Sequence, residues 1–180
     1  MKKLCFLSLT ILMLASSASS FEGLRKGFVL GGGLGFTPSA EFRIDGISGK
    51  ADNSGAGLNI VIGYGWDEQN LIVAEVNGTG YKVDPYDISQ GFFGASWYHY
   101  FGEIGKSFFT NVGLGTYNFS VDEYDTDPGG GILIGCGYEF AKHWQVAGYF
   151  GAGKTSESNI FGKTTFKHNH LSILVSGFAF

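Results

Sequence analysis

The sequence predicts an all-β protein: an eight-stranded antiparallel up-and-down barrel that crosses a membrane with its strands. Three observations predict this fold class. Large apolar residues alternate with small or polar ones at a period of two through most of the chain, no apolar helical periodicity interrupts them after residue 20, and the connections are alternately short and long. Charged residues make up only 16% of the chain, against about 25% in an average soluble domain.

The first twenty residues predict a cleaved signal peptide. Lys2 and Lys3 precede the apolar run 5–15, and small residues at 18–20 precede Phe21. This order is typical of a secretory signal, and the apolar run is too short for a membrane-spanning helix. We therefore expect a signal peptide at 1–20 and a single barrel domain at 21–180.

Removal of the signal peptide changes the charge and the cysteine count. It leaves ten basic residues against sixteen acidic ones, a net charge of −6, which argues against a nucleic-acid partner. Cys5 leaves with the signal and lies too early for lipid attachment. Cys136 then has no partner, so no disulfide framework is expected.

Eight segments carry the alternation. In 57–66 every even position is a large apolar residue, and three of the five odd positions are glycine. Segments of about ten residues match the length of a tilted strand that spans a bilayer. The predicted strands are 28–36, 57–66, 71–81, 90–101, 108–119, 131–140, 144–154 and 166–180.

The connections predict which end of the barrel faces the outside. Short turns on one side and long polar loops on the other are typical of outer-membrane barrels. Pro38, Pro85 and Pro128 all fall in the predicted long loops, as expected because proline cannot donate a hydrogen bond to a closed sheet. The short connections are 67–70, 102–107 and 141–143, and the long ones are 37–54, 82–89, 120–130 and 155–165.

A sheet in lipid must close on itself, with an apolar outer face and a polar or small inner face. We expect Leu114 and Ile134 to face lipid. The last strand is ambiguous, and we assign its lipid-facing side from Phe178 and Phe180. The expected inner residues are Glu75, Glu139, Asn59, Asn111 and Gln145; the expected aromatic girdles are Tyr64, Trp66, Tyr98, Phe108, Phe140, Trp144 and Phe178 on the inner side of the membrane, and Phe36, Tyr81, Phe93, Phe119 and Phe166 on the outer side.

Together, the signal peptide, the eight glycine- and aromatic-rich strands, the four long loops and the terminal Phe180 resemble small Gram-negative outer-membrane β-barrels of the OmpA, OmpX and opacity-protein type. The resemblance implies residence in the cell outer membrane and contact with its lipids and lipopolysaccharide. It also implies a monomer that the barrel assembly machinery recognises through Phe180. One departure is that those barrels pair interior acids with Arg or Lys, whereas no strand here offers a basic partner for Glu75 or Glu139.

Three residue patterns resemble cofactor or metal sites but lack what such a site requires, so we predict no cofactor and no metal. The string 148–155 matches the phosphate-binding pattern G-x-x-x-x-G-K-[ST], but it lies in a predicted strand with no helix after it. His168 and His170 share a strand face and fall short of the three or four ligands that zinc needs. Asp122, Glu123, Asp125 and Asp127 crowd one loop but lack calcium-loop spacing. They favour a solvated loop, or weak cation bridging to lipopolysaccharide.

One pattern suggests catalysis. His170 and Ser172 share a strand face, which resembles the His-x-Ser of outer-membrane lipid A deacylases. Acyl transfer also needs an acid that orients the base, and only Glu157 and Glu41 on loops are candidates. We therefore predict no catalytic residues.

The sequence thus predicts a non-enzymatic outer-membrane barrel with four extracellular loops and at most a narrow pore. An acyl hydrolase of lipid A or phospholipid on the same barrel is the first alternative. A secreted lipocalin-like binding barrel is the second, and it requires the opposite facing of apolar residues.

Overall fold

The computed structural model describes residues 23–44, 47–51, 54–122, 124–159 and 162–180. The signal peptide predicted at 1–20 therefore lies outside the described residues, as does Glu123. Every strand pairing in the described parts of the chain is antiparallel. The strands are β1 (Gly27–Ile44), β2 (Ile47–Ala51), β3 (Gly55–Gly65), β4 (Asn70–Val83), β5 (Tyr86–Tyr100), β6 (Ser107–Val121), β7 (Tyr124–Asp125), β8 (Gly129–Ala141), β9 (Trp144–Asn159) and β10 (Gly162–Ala179).

Eight of these strands form a closed barrel, which confirms the predicted fold class. Neighbours along the chain pair in the order β1, β3, β4, β5, β6, β8, β9, β10, and β10 pairs with β1 to close the sheet. The short strands β2 and β7 stand outside this ring and pair with β1 and β6. No helix among the described residues has the length and apolar character to cross a membrane.

The wall of the barrel has the predicted two faces over most of its circumference. On β6, Leu114 is 69% exposed and Val112 is 45% exposed, whereas the alternate residues Asn111 and Gly113 are buried. Exposed large apolar side chains continue around the barrel on the other strands. They include Leu34, Leu58, Ile60, Ile62, Ile72, Val76, Trp97, Ile132, Ile134, Phe150, Leu171, Ile173 and Val175.

Some of the predicted girdle residues face the interior instead. Tyr98 and Phe178 are buried and pack with their ring centroids 6.1 Å apart, and Tyr81 and Phe119 are also buried. Phe166 is half-buried. The interior of a small barrel has to be filled by side chains, so these large rings take the space that the many interior glycines leave.

The facing assigned to the last strand is therefore wrong. On β10 the even positions face inward, and Phe178 and Phe180 are 3% and 1% exposed. Leu171, Ile173 and Val175 face outward. Apolar residues occupy both faces of β10 near its end, so periodicity alone did not distinguish the two arrangements.

All four predicted long loops are shorter than expected, because the strands continue beyond the membrane. β4 and β5 are joined through Asp84 and Pro85, and β9 runs to Asn159. Pro38 lies inside β1, contrary to prediction. The register between β1 and β10 shifts between Phe36 and Ser39, and a bulge is one of the few places where a strand accommodates proline.

Above the membrane the longer strands continue past the ends of β3 and β8 in two groups, which we call lobes. We define the first lobe as the outer ends of β4, β5 and β6 with β7, and the second lobe as the outer ends of β9, β10 and β1 with β2. The outermost pairs of β3 are with Thr37 and Gly80, and the outermost pairs of β8 are with Tyr117 and Gly153. The lobes pack against each other: the rings of Phe119 and His168 stack with centroids 4.3 Å apart, and Ala40 of the second lobe lies in one buried apolar cluster with Tyr81, Ile88 and Phe119 of the first.

Candidate functional site

The interior is the candidate functional site, and its periplasmic end is closed by Arg25. This residue precedes β1, is fully buried, and its Nη2 lies 3.1 Å from Glu139 Oε2. Its guanidinium also donates hydrogen bonds to the carbonyls of Glu68 and Gly102 and lies 4.0 Å above the ring of Tyr100. Arg25 thereby joins the turn after β3, the turn after β5 and strand β8.

Arg25 is the basic partner that the strands alone did not offer. Glu139 also accepts a hydrogen bond from the backbone N–H of Gly105 at 2.8 Å. The sequence signal was present at Arg25, an isolated arginine just before the first strand, but strand alternation gives no information about residues outside strands.

The first described residue, Gly23, and the last residue, Phe180, meet at the same end. The N–H of Gly23 donates to the carbonyl of Phe180 at 3.1 Å, and the ring of Phe180 packs on His143 at 4.8 Å. The terminal aromatic ring is buried within the folded barrel.

Glu75 is the centre of the interior at mid-height. Its Oε1 accepts hydrogen bonds from Asn59 at 2.6 Å and from the Tyr98 hydroxyl at 2.8 Å, and Asn111 approaches Oε2 at 3.4 Å. No ion pair among the described residues involves Glu75. Neutral donors therefore satisfy this carboxyl group, and the predicted inward facing of Glu75, Asn59 and Asn111 is confirmed.

Aromatic side chains fill the space around Glu75. Tyr98 packs against Phe109 at 5.8 Å, and its hydroxyl lies 3.4 Å from that of Tyr149. Tyr100 donates to Gln145, which also faces inward as predicted. All four aromatic residues are buried, so this layer and Arg25 occupy the interior in which the sequence predicted at most a narrow pore.

His170 lies in the interior and is engaged with residues other than Ser172. Its Nε2 lies 3.0 Å from Asn77 Oδ1 and its Nδ1 lies 2.6 Å from the Tyr117 hydroxyl. Because the amide oxygen of Asn77 accepts, Nε2 donates, and Tyr117 donates to Nδ1. Both ring nitrogens are thus occupied.

Ser172 likewise has another partner. Its hydroxyl lies 2.8 Å from that of Thr37, and both side chains are buried. The two acids considered as orienting groups lie elsewhere: Glu157 is exposed, and Glu41 is the register partner of Asn169, which places it on the outer face. The arrangement lacks the contacts of a catalytic triad.

Within the described residues, the other sequence patterns form no phosphate-binding or metal-binding site. The string 148–155 lies inside β9 and no helix follows it. His168 faces inward and hydrogen-bonds Thr155 at 2.8 Å. Asp122 accepts the backbone N–H of Asp87 at 2.8 Å and so extends the pairing of β5 with β6 beyond Val121. No group of three metal-ligating side chains occurs in the part of the chain that is described.

One acid in the turn after β3, the half-buried Asp67, has a perturbed pKa. Asp67 Oδ1 accepts the N–H groups of Gln69 and Asn70 at 2.8 and 2.7 Å, and the Asn70 side chain at 2.9 Å. Desolvation acts to raise the pKa of Asp67, but these hydrogen bonds outweigh it, so the pKa is lowered. Because the pKa of Asp67 is lower in the folded state, its ionised form stabilises the turn at pH values above the unfolded-state pKa of about 4. This stabilisation is lost as the pH falls and the carboxylate is protonated.

Solved structures with a similar fold are outer-membrane barrels. Neisserial surface protein A aligns with a TM-score of 0.56 and 19% identity, over 84% of this chain and 97% of that one. The attachment invasion locus protein Ail of Yersinia pestis gives 0.48 and 14%, over 86% and 99%. OprG of Pseudomonas aeruginosa gives 0.45 and 16%, over 87% and 97%. No protein-family model and no curated protein sequence matches the chain.

The fold and the apolar outer wall define the class of protein. The chain is an eight-stranded barrel of the outer-membrane type, with the apolar belt outside and the polar network inside. This facing contradicts the lipocalin-like alternative, which requires an apolar interior and a polar exterior.

Proposed function

We propose that this chain is a non-enzymatic integral protein of the outer membrane, closed to ion flow, which acts through its extracellular lobes. One observation carries the proposal: the outer wall bears a belt of exposed apolar side chains, whereas aromatic and hydrogen-bonded side chains fill the interior. An eight-stranded barrel has just enough room for its own side chains. Its functional surfaces are then its outer wall and its loops.

The absence of enzymatic activity is part of the proposal. A serine hydroxyl needs a base within hydrogen-bond reach and a group that orients that base. His170 is committed to Asn77 and Tyr117, and Ser172 to Thr37. Neither side chain faces the lipid in which a lipid A or phospholipid substrate would lie.

Mass spectrometry of lipid A tests this part. Cells that express the wild type and cells that express Ser172→Ala are expected to contain the same lipid A acylation pattern as cells without the protein. Loss of an acyl chain in the wild type, with its return in Ser172→Ala, would establish the acyl-hydrolase alternative. Thr37→Val is the matched control, because it removes the same hydrogen bond without removing the serine.

Planar-bilayer recordings test the closed interior. We expect no steady single-channel conductance from the wild-type barrel inserted at physiological salt. A stable conductance of the wild-type barrel, changed in size when Tyr98 or Glu75 is replaced, would show that the interior conducts ions, and would contradict the proposal.

A further inference from the structure

Three basic residues stand side by side across the outer wall of the second lobe. Lys154 on β9 is the register partner of Lys167 on β10, and Lys167 is the register partner of Arg43 on β1. Directly opposite residues in antiparallel strands share a face, with Cβ atoms about 4.5–5.5 Å apart. All three residues are exposed. We call this the basic row.

Among the described residues, the basic row has little neutralising charge. Like charges directly opposite each other destabilise a sheet. No ion pair of described residues involves Lys154 or Lys167, and Arg43 has only a long 3.7 Å contact with Glu41. Across the barrel, Lys82 on the first lobe is matched by its own register partner Asp87 at 3.2 Å. The second lobe therefore carries a concentrated positive charge that the first lobe lacks.

The position of the row relates it to the membrane surface. Lys167 lies on the same face as Leu171, four residues later along β10, and Lys154 lies on the same face as Phe150, four residues earlier along β9. At about 3.3 Å per residue and a tilt of about 40°, the row stands about 10 Å above these lipid-facing side chains. Long basic side chains extend from such positions toward the headgroup layer.

We propose that the basic row binds the phosphate groups of lipopolysaccharide in the outer leaflet next to the barrel. The inference rests on the proposed function, since it requires the barrel to lie in that membrane. Phosphate fits because ammonium and guanidinium groups form charge-assisted hydrogen bonds with its oxygens. A membrane lipid fits better than a free anion, because the side chains project sideways from the outer wall, on the face that continues into the exposed apolar side chains of β9 and β10.

A titration of the folded barrel in detergent micelles with purified bisphosphorylated lipid A tests the site. Each basic residue near an anionic lipid surface is worth about 1 kcal/mol, which corresponds to about a fivefold change in Kd. Arg43→Gln/Lys154→Gln/Lys167→Gln is expected to bind about a hundredfold more weakly than the wild type. The charge-matched variant Lys26→Gln/Lys82→Gln/Lys106→Gln, whose residues are exposed elsewhere, is expected to stay within about twofold.

A comparison of ligands shows whether the bound anion is a lipid phosphate or a soluble anion. Dephosphorylated lipid A is expected to bind more than tenfold more weakly, and binding of the phosphorylated form is expected to weaken at high salt. Equal binding by the triple variant, or by dephosphorylated lipid A, overturns the proposal. Tight binding of soluble heparin with no binding of lipid A overturns the assignment to a membrane lipid.

Folding is read separately, by heat-modifiable migration on a gel. A wild-type chain that does not form a barrel in lipid vesicles contradicts the proposed function itself. A folded wild-type barrel that does not bind lipid A contradicts only the basic row. If the triple variant does not fold, Lys167→Gln alone is tested. We expect its affinity for lipid A to be about fivefold weaker than that of the wild type. An unchanged affinity would contradict the site.

Discussion

The buried pair of Arg25 and Glu139 provides the sharpest quantitative prediction. Arg25→Met removes a guanidinium that is fully buried and leaves the Glu139 carboxylate, 2% exposed, with only the N–H of Gly105. Removing one partner of a buried ion pair costs about 3–5 kcal/mol, because the other charge stays buried without compensation. We expect a loss of that size in the free energy of unfolding. Glu139→Leu is expected to cost a similar amount.

The double variant separates the pair interaction from simple packing. Arg25→Met/Glu139→Leu leaves no buried charge, and its remaining losses are the hydrogen bonds to Glu68, Gly102 and Gly105. At about 1 kcal/mol for each hydrogen bond, we expect a total cost of about 1–3 kcal/mol, well below the sum of the single variants.

Urea titration of the barrel in lipid vesicles, followed by tryptophan fluorescence, measures these values. Lys26→Met is the matched control, since Lys26 is the exposed neighbour and surface changes usually stay within about 0.5 kcal/mol. If Arg25→Met unfolds within 1 kcal/mol of the wild type, or if the double variant loses the sum of both single effects, the role assigned to Arg25 is refuted.

Two further predictions concern the wall and the chain end. Leu114→Arg is expected to cost about 2–4 kcal/mol in lipid, the value for a basic residue near the bilayer midplane. Gly113→Ala is expected to destabilise the barrel for a different reason, because its Cβ would collide with Ser96 Oγ. Urea titration in vesicles and in detergent separates the two, because only the Leu114→Arg penalty depends on the lipid, and equal penalties in both media would contradict the facing. Deletion of Phe180 removes a buried ring and the carbonyl that accepts from Gly23. We expect protease-sensitive, unassembled chain in cell fractions; normal outer-membrane levels would contradict a role for this residue in assembly.

The sequence predicted the barrel because successive side chains of a strand point to opposite faces of the sheet, so residues that alternate in polarity indicate which face meets lipid. Positions such as Leu114 and Gly113 were assigned correctly, since one face there is apolar and the other is small or polar. β10 failed because Leu174 and Phe178 inside are as apolar as Leu171 and Ile173 outside. Where both faces are apolar, alternation contains no information about which one meets lipid.

The interior network was predicted only in part. The inward carboxylates followed from strand parity, but their partners did not, because Arg25 lies outside the strands and Tyr98 resembled a girdle residue. The basic row was also invisible in the sequence. Arg43, Lys154 and Lys167 are far apart in the chain, and only the register of three strands brings them together.

The central claim is that the outer wall of this barrel lies in lipid. Cys136, a free thiol on the exposed face of β8 between Ile134 and Tyr138, offers a native position for a fluorescent label. In vesicles, lipids with brominated acyl chains are predicted to quench a label at Cys136 strongly, while aqueous iodide has little effect. A label at Asp122→Cys in a Cys136→Ser background is predicted to behave in the opposite way. Quenching of the Cys136 label by iodide and not by brominated lipid would contradict the account.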